Sequence, residues 1–181
     1  MLCSNGVQTT SLRKQIKRKG GQAIPPTTYR GGGILAQFLM KIERFDGPYS
    51  FLSNFYPAEV TWNHMRFPCV ENAYQAAKCV NPSDRLAFQT LKPGQAKRVG
   101  RTVLCRSDWD DVKIDIMTNL ISQKFTLHPQ LKSRLLDTGD MELIEGNYWR
   151  DFFWGVCNGR GENHLGKILM QVRKDLRKQS E

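Results

Sequence analysis

In the segment VENAYQAAK a carboxylate and an amine, Glu71 and Lys78, stand seven residues apart. If the segment is helical, seven residues make two turns and both groups project from roughly one face. A first-turn acid and a solvated lysine would account for that spacing, because a helix dipole favours a carboxylate near its start. The neighbours argue for more. Asn54, Tyr56, Trp62 and Tyr74 bracket the acid with the aromatic and amide groups that wall small-molecule pockets. A carboxylate there can steady a cationic centre or activate water. The lysine can contact an anion or, if burial depresses its pKa, act as a nucleophile.

A second loaded stretch begins with Asp151, three residues before Trp154-Gly155. It continues into a glycine turn, Gly159, Gly161 and Asn163, that leads into a helix. Such a turn can offer backbone N–H groups to an anion, although glycine turns before helices are also common for purely structural reasons. Lys97, Arg98 and Arg101 form the densest basic cluster inside the domain, read either as a solvated face or as a phosphate cradle.

Several separated motifs recur in order: FLSNFYP, a tryptophan-bearing hairpin, VENAYQAAK, Arg106 with Asp108, Trp109 and Lys113, D-x-x-W-G at Asp151, and G-x-G-x-N-x-L-G from Gly159. Together they closely resemble the NADAR (NAD- and ADP-ribose-associated) superfamily, from about Ile42 to the C-terminal helix. Its members include the N-glycosidase acting on early riboflavin intermediates. The resemblance implies a NADAR/N-glycosidase-like fold and an enzyme hydrolysing the C–N glycosidic bond of a phosphorylated ribosylamine. It places Trp109 in the substrate pocket. One departure is Tyr148-Trp149-Arg150 ahead of Asp151, where relatives often carry Ser-Pro-x; this bulk would reshape the pocket.

Cleaving such a bond needs a carboxylate, a grip on the departing heterocycle and an anchor for phosphate. Glu71 is assigned as the main catalytic carboxylate, Asp151 as the group orienting a sugar hydroxyl or water, and Lys78 as anion contact or nucleophile. Substrate contacts are expected from Asn54, Phe55, Trp62, Tyr74, Arg101, Trp109, Trp154, Gly159, Gly161 and Asn163, with Trp149 a further candidate stacker. Two other functions stay open. One is removal of ADP-ribose from modified guanine or nucleic acid, and the other is a non-catalytic module binding ADP-ribose or NAD.

The elements that position these groups can be read in outline. Ile42–Phe45 reads as a strand, followed by a turn at Asp46-Gly47-Pro48. Val60, Trp62, Met65 and Phe67 alternate about a turn near Asn63-His64, a hairpin. Val70, Ala73, Tyr74 and Ala77 open a helix. Asn81-Pro82 starts a short helix through Leu86 and Leu91, which Pro93-Gly94 breaks, and Gln95–Arg101 forms another. Asp108 caps a helix with its stripe at Val112, Met117, Leu120, Ile121 and Phe125. A further helix runs from Pro129 to Leu136, stopped at Gly139. Met141–Glu145 is a strand, and Leu165, Ile168, Leu169 and Val172 mark the last helix. The expectation is an α+β fold, a mostly helical single domain around a small antiparallel sheet.

The chain has 181 residues, enough for one domain with a sizeable core. Its net charge of +10 is uneven: six basic and no acidic side chains fall before Met40. With Gly20-Gly21, Pro25-Pro26 and Gly31–Gly33, residues 1–39 read as a disordered basic leader, and residues 40–181 as the domain. The leader could contact nucleic acid or act as a targeting signal. The partner expected at the site is a phosphorylated ribosyl small molecule. No apolar run approaches membrane-spanning length, which points to a cytoplasmic protein without membrane contact. Five scattered cysteines and three histidines lack metal-ligand spacing, so no metal or cofactor is expected. Nothing in the sequence specifies an oligomeric state.

Overall fold

The computed structural model describes residues 40–179, so the leader expected over residues 1–39 lies outside the described residues. The elements are β1 (Lys41–Ile42), β2 (Val60–Trp62), β3 (Met65–Phe67), α1 (Val70–Ala77), α2 (Pro82–Leu86), α3 (Pro93–Val99), α4 (Trp109–Leu127), α5 (Pro129–Asp137), β4 (Glu142–Leu143), β5 (Gly146–Asn147), β6 (Val156–Cys157) and α6 (His164–Lys178). A 3₁₀ turn, Gly47–Leu52, precedes the FLSNFYP loop. Among the described residues no helix is long and apolar enough to cross a membrane.

The helix α4 is the axis of the domain. Its Ile116, Met117, Leu120, Ile121, Lys124 and Phe125 are buried, a stripe recurring every three to four residues, and α1, α5, α6 and β2 pack around it. Helix α6 answers with Leu165, Leu169, Val172 and Leu176, one stripe over three turns. Helix α1 is different: all eight residues are buried, so it has no solvent face. Ala73, Ala76 and Ala77 keep it slim enough to be enclosed.

The helix-rich α+β architecture is the expected one, but its strands form three separate two-stranded ladders. Only β2·β3 is antiparallel; β1·β4 and β5·β6 are parallel. Parallel pairing requires the chain to travel between partners, and four helices plus the hairpin lie between β1 and the start of α5 alone. The hairpin turns at Asn63 and His64, both with positive φ (49° and 63°), the turn that matches strand twist. It is fastened to α4 by Gln123, which accepts from the Thr61 N–H and donates to its carbonyl, each at 2.9 Å.

Two local readings are corrected. Pro93 does not break the chain ahead of α3 but opens that helix, as suits a residue without an N–H at the first helical position. Asp108 occupies the N-cap position of α4 but makes no cap; Arg106 engages both its oxygens, at 2.5 and 2.7 Å.

Lys124 is the costliest residue in the core. It is fully buried and has no carboxylate partner among the described residues. Its Nζ donates to the Ser53 carbonyl at 2.7 Å and lies 5.5 Å from the Tyr56 ring centroid. Burial holds its pKa down to about 7, with the Cys69 thiol opposing. The unfolded chain keeps that proton until about pH 10. Between these values the unfolded state binds more protons, so this residue's contribution to stability is lost as pH falls through about 7 and recovered as pH rises. Melting temperatures measured from pH 6 to pH 10 should therefore climb in the wild type relative to Lys124→Met. Parallel curves would refute the assignment.

Candidate active site

The first turn of α1 carries Glu71 inward, and the residue ending that helix is Lys78. The Glu71 N–H donates to the Asn54 carbonyl at 3.0 Å, joining the helix start to the FLSNFYP loop. That loop is fixed from behind by α4, through Lys124 on Ser53 and through Met117, whose sulfur accepts from the Asn54 amide at 3.5 Å. Between loop, helix and α6 lies a cavity of about 240 Å³. Its floor is Met117 and Leu165, its aromatic walls Phe55, Tyr74, Trp149 and Trp154. Lys78, Lys97 and Arg101 supply positive charge, and Glu71, Glu145 and Asp151 negative charge.

Glu71 is buried and accepts from the Gln75 amide at 2.8 Å. Burial raises its pKa, partly offset by that hydrogen bond and by Lys97 and Lys78. Burial lowers the pKa of Lys78, with Glu71 pulling the other way. The Lys78 ammonium lies 5.6 Å from the ring centroids of both Tyr74 and Trp109, a cation held against two faces. Asn54 and Gln75 line the cavity, and the buried acceptors Asn54 Oδ1 and Gln75 Oε1 have no hydrogen-bond partner among the described residues.

Of the residues expected here, the cavity brings together Glu71, Asp151, Lys78, Asn54, Phe55, Tyr74, Arg101 and Trp154. Asp151 has one oxygen already engaged by the Trp154 N–H at 2.9 Å, which sets the D-x-x-W-G turn. Trp109 stands behind the wall, its ring 4.9 Å from that of Tyr74. Trp62 does not line the cavity; it packs against the core from the hairpin. Tyr56 lies beside Lys124 rather than over Glu71.

The glycine turn does not line it either. Gly161, at φ 143°, lies so close to the Gly155 carbonyl that a Cβ would collide with it. Asn163 adopts the left-handed conformation, and its side chain donates to the Leu143 carbonyl at 2.9 Å and accepts from the Glu145 N–H at 3.0 Å. This signature joins β4 to the start of α6; it is a joint, not an anion cradle. Glu145 and Gln75 were not singled out from the sequence. Glu145 sits at the end of an ordinary strand pattern, and only its half-buried place beside a cluster of charges marks it. No group of three or more potential ligands stands together to hold a metal ion among the described residues.

A desolvated acid and lysine at the two ends of one enclosed helix, with aromatic walls and nearby cations, mark the candidate active site of this helix-rich α+β domain. The chain belongs to the NADAR domain family, which it matches over residues 40–177. It is 40% identical over 137 residues to the N-glycosidase Npun_R5314 of Nostoc punctiforme, covering 72% of this chain and 87% of that one. It is 38% identical to the riboflavin biosynthesis protein VVA0006 of Vibrio vulnificus over 72% of this chain, but spans only 36% of that protein. The NMR structure of the E. coli protein YbiA superposes with a TM-score of 0.68 at 26% identity, over 80% of this chain and 92% of that one.

Replacing Gly161 by alanine should lower stability by about 1–3 kcal/mol, since it adds a collision at a backbone conformation side chains avoid. The melting temperature would fall by several degrees whether or not phosphate is present. A variant as stable as the wild type would show that the turn is not a joint.

Proposed function

We propose that this chain is an N-glycosidase that hydrolyses the C–N glycosidic bond of a phosphorylated ribosylamine among the early intermediates of riboflavin synthesis. The observation that carries the reading is the buried Glu71 carboxylate in an aromatic cavity that Lys78 also lines. The relatives named N-glycosidase and riboflavin biosynthesis protein support it.

In this reading Lys97 and Arg101 hold the phosphate, and Tyr74 and Trp154 flank the heterocycle. The sugar lies between them, with its anomeric carbon against Glu71. As the C–N bond stretches, positive charge grows on the sugar and the carboxylate stabilises it, most strongly because the site is dry. Burial lowers the Lys78 pKa, a direction that suits attack on an opened sugar, and an ADP-ribosyl substrate is kept as the second reading. Free thiols at Cys69, Cys79, Cys105 and Cys157 suit a reducing compartment, and cytoplasm is the location we propose.

Glu71→Gln keeps shape and removes charge. It should cut turnover about 10²- to 10³-fold with the fold intact. Steady-state release of free base and ribose 5-phosphate, with circular dichroism as the folding control, measures this. Turnover near that of the wild type would remove Glu71 from the reaction, and release from ADP-ribosylated guanine alone would favour the second reading.

A further inference from the structure

The cavity holds one more acid than the reaction has so far used. Glu145 follows β4 and lines the same cavity as Glu71 and Asp151, yet its carboxylate has no hydrogen-bond or ion-pair partner among the described residues. Its backbone, by contrast, is held at both ends: the N–H donates to Asn163 at 3.0 Å, and the carbonyl accepts from the Val156 N–H at 2.9 Å. Gly155 packs against that carbonyl and the side-chain stem, closely enough that a Cβ would collide with both. The invested contacts thus aim an unpaired acid into the cavity. The other two carboxylates are already engaged, Glu71 by Gln75 and Asp151 by the Trp154 N–H.

Resting on the N-glycosidase reading, we propose that Glu145 is a catalytic residue, the acid that protonates the departing nitrogen and then the base for the incoming water. The C1′–N bond breaks with its electron pair going to nitrogen, which takes the Glu145 proton and leaves as the neutral amine. Water enters the vacated position, its oxygen bonds to C1′, and its proton returns to the Glu145 carboxylate. The sum is one glycosylamine and one water giving one amine and one free sugar, with no oxidant or other reactant needed.

The charge environment suits an acid used at neutral pH. Burial pushes the Glu145 pKa up to about 7; Lys97 opposes the rise, and Asp151, Glu71 and Asp46 add to it. Lys78 and Arg101 complete the charged groups sharing the cavity. Glu71, in contact with Gln75 and walled by α1, is left to face the sugar.

The test compares the full-length wild type, Glu145→Gln and Glu145→Asp on two ribosyl 5-phosphates across pH 5 to 9. One carries an aminopyrimidine, which must be protonated to leave. The other carries a pyridinium, which leaves as a neutral ring without a proton. Expected for Glu145→Gln on the first substrate is a kcat lower by about 10²-fold or more with KM little changed. The alkaline limb of the pH profile should disappear, and the loss should be far smaller on the pyridinium. Glu145→Asp should retain an alkaline limb. Equal losses on both substrates would make Glu145 a merely structural group, and an unchanged profile in Glu145→Gln would remove it altogether; either overturns the assignment while wild-type turnover upholds the glycosidase reading. Absence of wild-type turnover on both substrates would instead overturn that reading and this proposal with it.

Discussion

The enclosure of α1 is the constraint on which the rest of this structure depends. A helix without a solvent face leaves no route by which Glu71 can reach bulk water except through the cavity. Burying a carboxylate is expensive, and the protein offsets that cost locally with one amide from Gln75 and the field of Lys78 and Lys97. The same enclosure desolvates Lys78. Each group is therefore held in the state of tension that chemistry near neutral pH exploits, an acid that ionises late beside an amine that deprotonates early.

Two helices bring buried charges of their own to this scaffold, α4, which packs on α1, and α6, which packs on α4. On one side Lys124 of α4 spends its ammonium on a single backbone carbonyl, Ser53, and so fixes the loop that presents Asn54. On the other side Arg173 of α6 is buried and donates to Thr138 at 2.7 Å and to the Met141 carbonyl at 2.9 Å, tying the end of α5 to the approach into β4. Arg177 adds a contact to Asp140 at 2.7 Å and one to the Gly139 carbonyl. Neither Lys124 nor Arg173 has an acid as hydrogen-bond or ion-pair partner among the described residues. Both satisfy backbone carbonyls at chain reversals, where no helix or sheet would otherwise do so.

The glycine joint connects this scaffolding to the chemistry. Gly155, Gly161 and Gly166 permit backbones to touch, and Asn163 bridges β4 to α6 through its amide. A loop that looks suited to phosphate is in fact part of what orients Glu145. Positive charge for an anion comes instead from α3, where Lys97 lies between the exposed rings of Phe55 and Trp149, at 5.8 and 5.5 Å from their centroids. This puts the bulky Tyr148-Trp149-Arg150 segment at the cavity mouth, where it contributes to shape.

Much of this was legible in the residues themselves. Periodicity located α1, α4 and α6, because an apolar stripe recurs every three to four residues along a packed helix, and a proline start with a glycine stop located α5. The hairpin was equally plain from alternation about Asn63-His64. Glu71 and Lys78 could be paired because both sit on one helix, so their geometry is local. What tertiary structure alone decided was which distant groups join them. Trp62 and Gly159 look as chemical in sequence as Tyr74 and Arg101, yet only the latter two reach the cavity. Glu145 shows the limit most clearly. Its strand pattern is ordinary, and its character comes from partial burial, from Lys97 forty-eight residues earlier in α3 and from Asn163 eighteen residues later. A pKa is set by everything within several ångströms in space, and sequence records only what is near along the chain.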